Sequence, residues 1–66
     1  MIRTINDLTG NSGRFARYCA EQYTIAELVA FIRSGVDYDT CEQWDITRQQ
    51  WHEGILAALE DLREQT

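Results

Sequence analysis

Ile46-Thr47-Arg48-Gln49-Gln50-Trp51-His52-Glu53-Gly54-Ile55-Leu56-Ala57-Ala58-Leu59-Glu60-Asp61-Leu62 carries both a helix start and a long helical face. Thr47-x-x-Gln50 is a capping box: the hydroxyl can accept from the Gln50 amide while the Gln50 side chain reaches back to the Thr47 amide. Ile46 and Trp51 flank it at the spacing of a hydrophobic staple. Beyond the cap, Trp51, Ile55, Ala58, Leu59 and Leu62 recur at helical intervals and mark one apolar face. A helix over about 48–64 follows.

The same logic applies upstream. Thr24-Ile25-Ala26-Glu27 is a second capping box with Tyr23 and Leu28 as its staple, and Ile25, Leu28, Val29 and Ile32 share a face. Gly35 suits the left-handed residue that ends a helix, and Arg33 suits its negative end. An earlier helix is expected with Ser12 as its cap and Phe15, Tyr18, Cys19 and Tyr23 on one side. The run Thr9-Gly10-Asn11-Ser12-Gly13 before it reads as a turn cluster. Residues 4–8 fit one short helical turn with Thr4 as cap and Ile5 and Leu8 inward. Between Gly35 and Thr47, Thr40-x-x-Gln43 fits the opening of a short helix, and the stretch equally fits a structured loop. Proline is absent and no strand alternation appears. The expected fold is therefore all-α, a small bundle of three to four helices with short connections, forming a single helical domain over residues 1–66.

A chain of 66 residues buries only about 60% of the surface its unfolded form exposes, so its stability is marginal. Its two cysteines, Cys19 and Cys41, make no disulfide framework and no zinc pattern; both are expected as core thiols, with a Cys19–Cys41 bridge as the alternative. The first residues lack the apolar run of a signal peptide, and no apolar stretch approaches the roughly 20 residues of a membrane span. A cytoplasmic protein is expected.

Charge is divided unevenly. Residues 1–36 carry Arg3, Arg14, Arg17 and Arg33 against Asp7, Glu21 and Glu27, a net of +1. Residues 37–66 carry eight acids against Arg48 and Arg63, a net of −6. This balance repels phosphate backbones and anionic membranes and suits a basic partner. Asp37, Tyr38, Asp39, Glu42, Trp44 and Asp45 combine carboxylates for steering with rings for buried area, as protein-binding surfaces do. Glu53, Glu60 and Glu64 form a helical acidic row that either extends this surface or is a solvated face.

Other chemistry is poorly represented. Read as a calcium loop from Asp37, the segment places Cys41, Glu42 and Arg48 where oxygen, Gly and Glu are required, so no metal is expected. His52, the single histidine, has no nucleophile or paired acid at motif spacing, and no catalytic role is expected for any residue. No cofactor is expected either. Gly54 inside the last helix points to close approach of another helix, within the fold or across a dimer.

The tail Val36-Asp-Tyr-Asp-Thr-Cys-Glu-Gln-Trp-Asp-Ile-Thr-Arg-Gln-Gln-Trp51 with its following helix resembles the C-terminal part of small acidic phage proteins, the anti-CRISPR proteins that act on type I systems. Some of these show a Val-Asp-x-Asp stretch, then a Thr/Ser-capped helix with Gln-Trp near its start and an acidic end. The resemblance spans about half of the chain; the N-terminal half matches no family pattern. It implies an inhibitor that binds a crRNA-guided surveillance complex or its recruited nuclease, blocking DNA access or nuclease recruitment. It transfers no individual residue. The partner is then a basic nucleic-acid-handling protein, such as a Cas protein or complex, with no direct nucleic acid and no membrane, and the chain a monomer or homodimer. The alternatives are a homo-oligomeric or antitoxin-like interaction module built on Trp44, Trp51 or the Gly54 surface, and a helix-turn-helix DNA-binding regulator. The last would turn an acidic segment toward phosphates.

Overall fold

In a computed structural model, residues 4–65 are described. Met1–Arg3 and Thr66 lie outside the described residues, and with them Arg3 of the N-terminal charge count. A single 3-10 turn, Ile5–Asp7, precedes four helices: α1 (Gly10–Gln22), α2 (Ile25–Ser34), α3 (Tyr38–Trp44) and α4 (Arg48–Gln65). The described residues contain no strand. The radius of gyration, 10.6 Å, matches the roughly 11 Å of a close-packed chain of this length, so no element stands away from the rest.

The two capping boxes form as the sequence requires. The Thr47 amide donates to Gln50 Oε1 at 2.8 Å, and the Gln50 amide donates to Thr47 Oγ1 at 3.1 Å. The Thr24 amide donates to Glu27 Oε1 at 2.9 Å, and the Glu27 amide donates to Thr24 Oγ1 at 3.2 Å. Each box satisfies two amides that a helix start would otherwise leave unpaired.

α1 begins earlier than the sequence suggests, and the expected cap is corrected. Thr9, not Ser12, is the N-cap, and the presumed turn cluster from Gly10 onward is the first turn of the helix. Ser12 is buried and donates its hydroxyl to the Thr9 carbonyl at 2.9 Å. At Gly13 a Cβ would lie 2.7 Å from the Leu8 carbonyl oxygen, so the close approach of the 3-10 turn to α1 requires glycine.

α1 and α4 form the main helix pair, α2 lies on α4, and α3 bridges the end of both α1 and α4. The larger core cluster joins Phe15 and Cys19 of α1, Leu28 of α2, Cys41 of α3, Ile46, and Trp51, Ile55 and Ala58 of α4. A smaller one joins Ile5, Leu8, Ala16 and Ala57. Small residues make the α1–α4 approach close: a Cβ on Gly54 would lie 2.7 Å from Phe15 Cδ2. The close approach that Gly54 signals is thus internal. On α2 the expected apolar face is rotated. Leu28 is fully buried and Phe31 and Ile32 pack beside it, whereas Ile25 and Val29 sit at the margin.

Among the described residues no helix is long and apolar enough to cross a membrane.

Candidate functional site

The segment left open between helix and loop is helix α3, and Asp37, not Thr40, opens it. Asp37 Oδ1 accepts from the amides of Asp39 and Thr40 at 3.1 and 3.3 Å, and Oδ2 accepts from the Thr40 hydroxyl at 3.0 Å. Asp45 closes it in the left-handed region, at φ 54°. Its amide donates to Glu42 O at 3.2 Å, and the Ile46 amide donates to Cys41 O at 2.9 Å. These are the two bonds of a Schellman closure, with Cys41 and Ile46 as its apolar contact. Asn11 of α1 donates to the Asp45 carbonyl at 3.5 Å and ties this end to the main pair.

A seven-residue helix with both ends fixed presents two distinct faces. Thr40, Cys41 and Trp44 point inward. Tyr38, Asp39, Glu42 and Asp45 point outward, and Tyr38 is 62% exposed. Asp39, Glu42 and Asp45 form no ion pair among the described residues, and residues 34–47 contain no Arg or Lys. The outward face is therefore a patch of carboxylates, unpaired among the described residues, beside one exposed ring.

The nine residues singled out from sequence do not form one surface. Tyr38, Asp39, Glu42 and Asp45 share the outward face. Asp37 sits at its edge as a cap. Trp44 turns away and packs against Phe15 and Tyr18, with ring centroids at 5.7 and 5.3 Å. Glu53 lines a shallow groove with Asp7, Thr9 and Gln49, and accepts from Gln49 at 3.1 Å. Glu60 and Glu64 line another, opposite Arg17 and Glu21 of α1; Glu60 also lies 3.7 Å from Arg63. Neither groove includes a residue of 37–45.

Sequence reasoning missed an aromatic groove where α1, α2 and α3 meet. Its volume is about 590 Å³, and its walls include Tyr18, Tyr23, Phe31 and Trp44. Tyr18 touches both Tyr23 and Trp44, and Tyr23 meets Phe31 edge-on at 4.9 Å. The signal was spread over three segments, and nothing in the spacing of these rings links residue 18 to residue 44.

Cys19 forms part of the groove floor and Cys41 lies in the core; both are free thiols. Burial pushes Cys19 up to about 12. Burial, with Asp37 adding to it, raises Cys41 as well. A buried neutral thiol is a poor nucleophile and a poor metal ligand. It also makes stability depend on pH. An unfolded chain loses the Cys19 proton near pH 9 while the folded chain keeps it until about 12. Stability should therefore hold below about pH 9 and fall above it by up to about 1.4 kcal/mol per pH unit. Urea titrations at increasing pH check this: the wild type should lose stability through that window more steeply than Cys19→Ala, and equal slopes would contradict it.

His52 is exposed and lies edge-on to Trp51 at 6.2 Å. Among the described residues no group of three or more His, Cys, Asp or Glu side chains is placed to hold a metal ion.

No protein-family model matches this chain, and neither a curated protein nor a solved structure does.

Proposed function

We propose that this chain is a small acidic binding protein that acts as an inhibitor, without catalysis, by docking the outward face of α3 on a basic, nucleic-acid-handling protein. The observation that carries the reading is that face: Asp39, Glu42 and Asp45 share it with exposed Tyr38, and none of the three makes an ion pair among the described residues. A solvated helix needs no such arrangement. Both ends of α3 are fixed by side-chain and backbone bonds, so the carboxylates are held in place before a partner arrives. Rigid presentation lowers the ordering cost of association, and the acids speed encounter with a positive surface.

The resemblance of the 36–51 stretch to anti-CRISPR proteins of type I systems supplies a specific target class. The partner is then a crRNA-guided surveillance complex or its recruited nuclease, in the cytoplasm of the host cell. Basic channels built to hold nucleic acid are the surfaces such a face would occupy. A helix-turn-helix regulator is disfavoured on the same observation, because its recognition helix would be α3, whose outward residues oppose phosphate. Self-association through Trp51 or Gly54 is disfavoured as well, since both lie inside the bundle, whereas Trp44, the third residue of that alternative, is only half-buried.

The test is plaque formation by a phage that the host's type I system targets. Expressing the chain should restore plaques to the level seen without interference. Unchanged interference, with folded protein present in the cells, would overturn the anti-CRISPR reading.

A further inference from the structure

We infer that the aromatic groove between α1, α2 and α3 is a receptor for one arginine side chain of the partner protein; this rests on the docking role proposed for α3. Three observations carry it. The walls are π systems set at steep angles to one another. Tyr18 and Trp44 are tilted by 52°, and Tyr23 and Phe31 by 90°. Aromatic side chains lining an open groove offer π surface to a guanidinium placed against them. The groove is also open. Tyr18, at its mouth, is 41% exposed, and Tyr23, Phe31 and Trp44 are only half-buried. A small bundle with few large apolar side chains has reason to bury such rings, and these four remain accessible together.

The third observation is charge. Among the described residues Asp37 is the single acidic or basic side chain lining the groove. Its carboxylate caps α3 through three hydrogen bonds. An anion would meet the Asp37 carboxylate and electron-rich rings, and a neutral apolar group would make no use of that carboxylate. A cation satisfies both. Arginine fits better than lysine because its planar guanidinium stacks on rings and is less strongly hydrated. The volume of about 590 Å³ accommodates the side chain with adjoining main chain, within the usual range of ligand pockets. Asp37 joins the groove to α3, so a partner arginine seated here comes from the same basic surface that Asp39 and Glu42 meet. Buried arginines of this kind are frequent anchors at protein interfaces.

The test uses a capped Gly-Arg-Gly peptide and its citrulline counterpart, which keeps the shape and loses the charge. Binding is followed by two-dimensional NMR on the whole protein, reading the Trp44 indole and Tyr18 ring signals. The arginine peptide should shift both signals saturably, and the citrulline peptide should bind about fivefold more weakly or worse. Tyr18→Leu, which removes a ring and keeps apolar bulk, should weaken arginine binding by about fivefold. Asp37→Asn should weaken it by a similar factor while keeping α3 capped, because asparagine is an equally good cap. Equal binding of the two peptides would overturn the inference. So would arginine-dependent shifts confined to Asp39, Glu42 and the α4 acids, or insensitivity to Tyr18→Leu in a protein with unchanged melting. The two readings fail separately. If the peptide ignores the groove while reversing Asp39 and Glu42 still abolishes partner binding, the docking face stands and the arginine receptor falls. If that reversal leaves partner binding intact, the docking face itself is lost.

Discussion

Ile55→Ala should remove a large share of the fold's stability and lower its melting temperature steeply. Ile55 is 1% exposed and sits in the larger core cluster beside Phe15, Trp51 and Ala58. Removing three buried carbons from such a site costs about 2–5 kcal/mol, the transfer loss plus the cavity. A domain of this size has roughly 3–10 kcal/mol in total. The same helix supplies a control with opposite intuition. Gly54→Ala would stabilise an isolated helix by about 1 kcal/mol. Here the new methyl meets Phe15 Cδ2 at 2.7 Å, and the ring is 3% exposed with Trp44 against it. Overpacking of this kind costs about 1–3 kcal/mol, so a net loss of stability is expected. Thermal melts followed by far-UV circular dichroism check both substitutions. A Gly54→Ala protein that melts higher than wild type would show that α1 and α4 are not pressed together as described.

The second large effect is on function. Reversing Asp39 and Glu42 together to Arg should abolish inhibition and target binding while the melting temperature stays within a few degrees. Both side chains are exposed, and neither makes an ion pair among the described residues, so little folding energy depends on them. At a complementary interface, removing one partner of a close, desolvated charge pair costs about 2–5 kcal/mol, and reversal adds repulsion. Asp37 must be left out of this experiment. Its carboxylate caps α3 through three hydrogen bonds, and Arg there would remove the cap at a cost of about 1 kcal/mol. Lost binding could then be mistaken for lost structure.

The fold was legible where local chemistry is self-contained. Thr24 and Thr47 each sit three residues before a Glu or Gln, and such boxes close whatever surrounds them. α4 needed only its apolar period. What stayed hidden depends on distant contacts. Ser12 reads as a cap because serines usually are, but its hydroxyl bonds back to the Thr9 carbonyl within a helix that starts at Gly10. The α2 face rotates because Phe31 meets Tyr23, a partner beyond its own helix. Ala16 and Ala57 look neutral in sequence and turn out to be the centre of the second cluster.

The candidate site was half legible. The density of acids after Gly35 marked α3, and its period separates Tyr38, Asp39 and Glu42 from Cys41 and Trp44 once a helix is known. Extension of the acidic surface along Glu53, Glu60 and Glu64 was a reading of helical spacing alone. The direction in which α4 points those residues is set by its packing on α1, which places them in grooves that include no residue of α3.

The central claim is that the outward carboxylates of α3 recognise a basic surface. Association with a purified type I surveillance complex, or with its nuclease, followed at increasing salt tests it most directly. The wild-type association rate should fall steeply as salt screens the charges, and the protein with Asp39 and Glu42 reversed should show no binding at any salt. Binding that is indifferent to salt and survives the reversal would contradict the claim.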